Sequence, residues 1–269
     1  MKQSGTLCIL VCLLVPPVVA QEDTTGLSSL IVHDAKMALS GAIHVATSPG
    51  RWDCVDWTRA GATAGITAGA VILDADMRVL MQRQRNAGAA DGLSELAKTY
   101  GDGWFAVGLT AGFYGTGLVI RDPWLRETAV LAGTAIIVST VVTRVIKPVV
   151  GRARPYVNAG NGAFRMFTLQ DVYNSFPSGH TVSAFSLSAV LAARIDHPLA
   201  TIGLYGLACL TALSRVYTDE HWFSDVVFGG IFASAVGRSL VVWYEGREPD
   251  HQSFRILPGP DRISIVYSF

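Results

Sequence analysis

Hydrophobic residues fall along this chain in blocks of helical length, and the polar residues between the later blocks gather into three islands. The pattern predicts four consecutive helices in the C-terminal half. The first, Glu127 to Lys147, is rich in Val, Ile, Ala and Thr and stops where the residue before Pro148 is pushed out of helical geometry. The second begins near Ser178, runs through Thr181–Ala193 and breaks at Asp196-His197-Pro198. The third, Leu199 to Arg215, returns, and the fourth starts about Glu220–His221, with Thr218 or Asp219 as its cap, and ends about Tyr244. Short connections make neighbours antiparallel, so all three islands land at one end of a bundle. Upstream, 103–120 is the longest run without charge, 86–102 reads as a short helix across one end, and 60–73 is apolar and rich in small residues. Residues 21–58 show no clear period, and Ile263 to Phe269 reads as a terminal strand.

What collects at that end is chemically specific. Lys147, Arg152, Arg154 and Arg215 supply positive charge. Two expected helix amino-termini, at Ser178-Gly179 and at His221, aim free backbone N–H groups at the same place, and Gly179 allows close approach. His180 and His221 can exchange a proton near neutral pH. Asp225, four residues beyond His221, would share a helical face with it. The set describes a phosphate pocket with a nucleophile and an acid. Asp219 and Glu220 read as ordinary first-turn acids, and His33, His44, His197 and His251 as structural or solvated. A lone histidine or arginine would carry nothing; the fixed spacings do.

Lys147-x6-Arg154-Pro155, Pro177-Ser178-Gly179-His180 and Ser214-Arg215-x5-His221-x3-Asp225 together resemble the signature of the type 2 phosphatidic acid phosphatases (PAP2). That superfamily also takes in bacterial class A acid phosphatases and vanadium-dependent haloperoxidases. All three parts match in order and with the family's spacings. The resemblance implies an all-α fold, a helical bundle of the PAP2 type with its active site at one end, embedded in a membrane. It implies His221 as nucleophile, forming a phosphohistidine, with Asp225 accepting the N–H of the other ring nitrogen. His180 would protonate the leaving oxygen and then activate water, assistance worth ~10²–10⁴-fold. Lys147, Arg154, Arg215, Ser178 and the Gly179 N–H would hold the non-bridging oxygens. No metal and no cofactor is implied, since cationic side chains supply the charge. Arg152 lies outside the pattern and reads as a supporting or substrate-binding charge.

Met1-Lys2, the run from Leu7 to Val15 and Val18-Val19-Ala20 read as a secretory signal peptide over 1–20, with an uncleaved anchor as the second reading. The organisation expected is then an N-terminal extension at 21–58, a PAP2-type catalytic domain at 59–245 and a tail at 246–269. Cys8 and Cys12 would leave with the signal, and nothing indicates that Cys54 and Cys209 pair. Half of the residues are hydrophobic (50%), 16% are charged, and mean hydropathy is +0.37. Trp104 and Trp124 bracket one apolar segment, and Trp222 and Trp243 another, as an aromatic belt would. Arg121, Arg126 and Arg194 fall at the end opposite the pocket, which suits a periplasm-facing site. A span needs about 20 apolar residues, and only 103–120 approaches that. A membrane-embedded bundle is the leading reading and a soluble periplasmic one its rival.

Net charge is +0 and no basic stripe with interleaved aromatics occurs, which disfavours nucleic acid. The partner expected is a phosphorylated lipid or a small phosphate ester, chosen by the loop 156–176 over the pocket. Three activities fit: a lipid phosphate phosphatase at the periplasmic face, a soluble acid phosphatase of broad specificity, and a vanadate-dependent haloperoxidase, whose known chains are usually much longer.

Overall fold

The computed structural model describes residues 26–85 and 88–247, with the backbone of two strands at 253–258 and 263–268; the expected signal segment and His251 lie outside the described residues. Eight helices follow one another: α1 Leu27–Thr47, α2 Cys54–Gln82, α3 Ala89–Gly101, α4 Gly103–Val119, α5 Pro123–Val150, α6 Gly179–Ile195, α7 Pro198–Tyr217 and α8 Phe223–Glu245. Strands β1 Ser253–Pro258 and β2 Ile263–Ser268 then pair antiparallel, with Ser253 opposite Ser268. Several helices start at local signals. Asp53, Asp102 and Asp122 each cap a helix by accepting backbone N–H groups of its first turn, and Pro123 and Pro198 stand at first helical positions, where no donor is lost.

The bundle is built around α6. Residues 181–192 of this helix are buried all round except Phe185, against α8, α7 and α5. A helix covered on every side needs no amphipathic period, and its sequence has none. Its approach to α8 is close: a Cβ added at Gly237 would lie 2.8 Å from the Ala189 Cβ. Leu131 and Ala135 of α5, Leu187 and Val190 of α6, and Val236 and Leu240 of α8 form the centre of the core. The chain runs toward the polar end in α5, away in α6, back in α7 and away in α8, as the islands require.

Several element boundaries differ from expectation; α5 already starts at Pro123, and α7 runs two residues past Arg215 to Tyr217. Helix α5 does not stop at Lys147 but carries Pro148 and ends at Val150. Proline removes only one intrahelical donor, and the helix closes properly two residues later, where Gly151 at φ 59° donates its N–H to the Lys147 carbonyl at 2.8 Å. Helix α8 starts after His221, at Phe223, because the N–H groups of Glu220 and His221 both turn back onto the Arg215 carbonyl at 3.1 and 3.2 Å. Neither Thr218 nor Asp219 caps it; Trp222 stands at that position. Residues 27–47, without a visible period, are a helix whose buried positions include Asp34, Met37 and Gly41. An acid in the buried stripe hides the pattern. Asp34 is ion-paired with Arg126 at 2.8 Å and receives the Tyr114 hydroxyl at 3.0 Å.

Helices α5, α7 and α8 are long and apolar enough to cross a membrane. Helix α4, the segment expected to come nearest, has 17 residues; at 1.5 Å per residue it falls short of a hydrocarbon layer of about 30 Å. Arg238 does not prevent α8 from qualifying. Ile137, Val141 and Val145 make an exposed apolar stripe along α5, and Leu199 and Ile202 expose another on α7. Trp222 belongs to no belt: it is buried, and its indole N–H donates to the Ala153 carbonyl at 2.8 Å. Cys54 and Cys209 are both free and exposed.

Gly151→Ala tests the end of α5. A Cβ there would stand 1.8 Å from the Arg165 carbonyl oxygen, in a backbone conformation that side chains avoid. Thermal unfolding in detergent should show a loss of about 1–3 kcal/mol, whereas Gly112→Ala, whose Cβ would meet nothing within 4 Å, should be neutral or stabilising.

Candidate active site

His221 lies in the link between α7 and α8 and is 3% exposed. Its Nδ1 is 2.7 Å from the Ser175 carbonyl oxygen. A carbonyl can only accept, so Nδ1 carries the proton and Nε2 keeps its lone pair. The orienting partner expected from sequence, Asp225, has Oδ2 3.6 Å from Nδ1, beyond hydrogen-bond reach. Helix α8 starts beyond His221, yet the imidazole and the carboxylate remain within ion-pair distance. Asp225 acts at one remove. It accepts the Ser175 hydroxyl at 2.5 Å and the Trp222 N–H at 2.9 Å, and so grips the serine whose carbonyl holds the ring. It also occupies the amino-terminus of α8, which is therefore not free for an anion.

Burial lowers the His221 pKa to about 3; the Asp225 charge opposes this, while Lys147 and Arg154 push further down. His180, in the first turn of α6, is lowered to about 4, again mainly by burial and next by Arg215, with Arg154 adding to it. Both imidazoles are neutral at pH 7 in the unliganded protein. The same influences show that Lys147, Arg154, His180, Arg215 and His221 share one neighbourhood, as the three polar islands predict.

The cations come from helix ends. Lys147, in the last turn of α5, donates to the Asn174 carbonyl at 2.5 Å. Arg154 donates through Nε to the Asp171 carbonyl at 3.1 Å and pairs through Nη1 with Glu220. Arg215, in the last turn of α7, is buried; its Nη2 is 4.0 Å from Glu220 Oε2, and its Nε has no hydrogen-bond partner. Ser178 is buried beside α6, its Oγ accepting from the Thr181 hydroxyl at 3.0 Å, and a Cβ at Gly179 would meet nothing within 4 Å, so the amino-terminus of α6 is open at that residue.

Arg152 resolves to a supporting charge. It is 2% exposed and donates to Asp225 Oδ1 at 2.6 Å, to the Ser224 hydroxyl at 2.7 Å and to Asp74 Oδ2 at 2.6 Å. Asp74, on α2, also accepts the Ser224 N–H at 2.8 Å and hydroxyl at 2.9 Å. Sequence reasoning missed Asp74; the signal was an acid in helical register with an apolar run, since Ala70 and Asp74 are both buried. Ser175 was missed because its contribution is a backbone carbonyl. Asp219 and Glu220 are not first-turn acids, because α8 begins beyond them. Asp219 forms a two-pronged pair with Arg78 of α2, at 2.7 Å on each side. Of the other histidines, His44 stacks on Trp243 and His197 accepts the Leu199 N–H at the start of α7.

Residues 128–249 match the family model of the PAP2 superfamily. The lipid A 1-phosphatase of Porphyromonas gingivalis is 31% identical over 106 residues, 37% of this chain and 24% of that protein. The lipid A 1-phosphatase of Rhizobium etli is 29% identical over 106 residues, 37% of this chain and 45% of that one. These alignments cover less than half of the length of either relative. The crystal structure of Aquifex aeolicus LpxE shares the fold, with a TM-score of 0.51 and 21% identity over 63% of this chain and 95% of that one.

Two predictions follow from the buried charges and the imidazoles. Arg152→Met leaves Asp74 and Asp225 facing each other without a counter-charge and should cost about 3–5 kcal/mol in a detergent unfolding experiment. The imidazole shifts fix the sign of a pH effect. Both folded pKa values lie below the ordinary 6.5, so between about pH 6.5 and about 4 the unfolded chain binds more protons. Stability should be full above that window and fall as pH drops through it, by up to ~1.4 kcal/mol per pH unit for each histidine. A His180→Gln, His221→Gln double variant should show a shallower fall in unfolding midpoint between pH 7 and pH 4.

Proposed function

We propose that this chain, whose residues 128–249 belong to the PAP2 superfamily, hydrolyses phosphate monoesters or pyrophosphates of lipids through a phosphohistidine on His221. The observation that carries the reading is the tautomer of His221, its proton fixed on Nδ1 by the Ser175 carbonyl, with Lys147 and Arg154 close enough to depress its pKa. A neutral ring with a free Nε2 is a nucleophile at any pH above about 3.

In the reaction proposed, the Nε2 lone pair attacks phosphorus and the bond to the leaving oxygen breaks. Lys147, Arg154, Arg215 and the Gly179 N–H hold the three non-bridging oxygens as charge develops on them. His180 gives the leaving oxygen a proton. Its pKa is about 4 with the site empty, and the negative phosphoryl group raises it on entering. In the second step His180 takes a proton from water, whose oxygen displaces His221 and releases phosphate.

A lipid substrate and a membrane setting are supported by three features. The relatives are lipid A 1-phosphatases by name. Three helices have membrane-crossing length, and α5 and α7 carry exposed apolar stripes. The loop over the site exposes Phe167 and Leu169, at 79% and 86%. A periplasm-facing site is the orientation we favour. Of the three arginines at the far end, Arg126 and Arg194 are ion-paired with Asp34 and Glu127, so the charge bias rests on Arg121.

The test is release of phosphate from a panel in detergent micelles: lipid A 1-phosphate, phosphatidate, phosphatidylglycerophosphate and undecaprenyl pyrophosphate, beside a soluble aryl phosphate. At least one lipid should be turned over in preference to the aryl ester, and His221→Ala should lose ~10³-fold or more of the rate. Undiminished release by His221→Ala would overturn the mechanism. Recovery of the protein without detergent, with a preference for the aryl ester, would instead favour the soluble acid phosphatase.

A further inference from the structure

Glu220 is a charged group beside the site that the mechanism above does not use. Its carboxylate is paired with Arg154 Nη1, and its Oε2 lies 4.0 Å from Arg215 Nη2. Those two guanidinium groups are the ones assigned to phosphate oxygens. Among the described residues Arg215 has no closer ion-pair partner, and its buried Nε is without an acceptor. The carboxylate thus stands between the two arginines while satisfying only one of them.

The groups around it show that it can leave. The Glu220 N–H is anchored on the Arg215 carbonyl at 3.1 Å, so the backbone is fixed, but the side chain is 35% exposed and can rotate toward water. The neighbouring acid, Asp219, is held on Arg78 by two hydrogen bonds and does not compete for the site. Lys147 is held by the Asn174 carbonyl, a neutral acceptor. Among the described cations of the site, Arg154 is the one already paired at close range with a carboxylate. A phosphoryl dianion on Arg154 and Arg215 would bring like charges together at a single guanidinium, and the partly exposed Glu220 carboxylate has water beside it to turn into.

We propose that Glu220 is a displaceable counter-ion of the phosphate site. Its carboxylate holds the place of a phosphate oxygen between Arg154 and Arg215 when the site is empty, swings out as the phosphoryl group enters, and returns as phosphate departs. It therefore sets the affinity for phosphoryl dianions and limits inhibition by the product. The inference rests on the assignment of Arg154 and Arg215 to phosphate.

The experiment measures binding of inorganic phosphate to the full-length protein in detergent by titration calorimetry, together with its inhibition of lipid phosphate hydrolysis. Glu220→Gln should bind phosphate about three- to tenfold more tightly, with a lower KM and no gain in kcat. Equal or weaker phosphate binding by Glu220→Gln would overturn the inference, since a carboxylate that merely braced Arg154 would weaken binding when lost. Arg154→Ala and Arg215→Ala separate the two levels. If these bind phosphate as well as the parent protein, the assignment of the site itself fails. If they lose binding while Glu220→Gln gains none, the site stands and the counter-ion role falls.

Discussion

Two carboxylates closed over one guanidinium, with all three groups out of water, are the constraint on which the site depends. Asp74, Arg152 and Asp225 belong to α2, to the segment after α5 and to the first turn of α8. Removing such charges from water costs several kcal/mol per ion, and their attraction offsets that only when geometry is good and spare lone pairs are satisfied. Here they are: Ser224 gives Asp74 two hydrogen bonds, and Ser175 and Trp222 give Asp225 two more. The cluster is therefore better understood as a device for register than as a source of net stability. Only one mutual placement of the three segments satisfies it, and that placement puts the Ser175 carbonyl on His221.

The helical arrangement supplies the rest of the electrostatics. Lys147 and Arg215 stand in the last turns of α5 and α7, where the partial negative charge of a helix end favours a cation. Helix α6 presents its amino-terminus to the same region, where an anion is favoured. The end of the bundle thus sets two carboxy-terminal cations beside the open amino-terminus of α6, an arrangement that suits an anion. One end of an antiparallel bundle does this without long-range design. The apolar remainder of each helix is left to pack on α6 or to face outward.

The residues that the sequence groups and the structure brings into one neighbourhood are those written at short, fixed spacing. Lys147, Arg154, Ser178 to His180, Arg215 and His221 were legible because each island turns within a few residues of a helix end. The junction of α6 and α7 was legible, since His197 and Pro198 punctuate it. What was hidden depended on partners distant in the chain. Asp74 meets Arg152 across 78 residues, and Arg78 meets Asp219 across 141. Helix α1 was hidden because its buried stripe contains an acid whose partner, Arg126, lies on α5. The start of α8 was misplaced because two N–H groups fold back onto Arg215, which no local propensity encodes. Asp225 faces the His221 ring at 3.6 Å and also holds Ser175, whose carbonyl accepts the ring N–H.

The part of the chain matched by the family model begins at residue 128, yet the charge that completes the cluster comes from α2. Without Asp74, Arg152 would have Asp225 as its one carboxylate partner, and Ser224 would lose the acceptor of its N–H. Without Arg78, Asp219 would be an unpaired acid next to Glu220. Helix α2 therefore enters the surroundings of His221 twice, through Asp74 on Arg152 and through Arg78 on Asp219. The loop between α5 and α6 is fastened from the same side: Asn161 donates to the Val71 carbonyl of α2 and accepts from Arg152. A helix whose sequence reads as an apolar, small-residue segment is thus tied by ion pairs to the segments around His221, and that network begins well before the part that the family model matches.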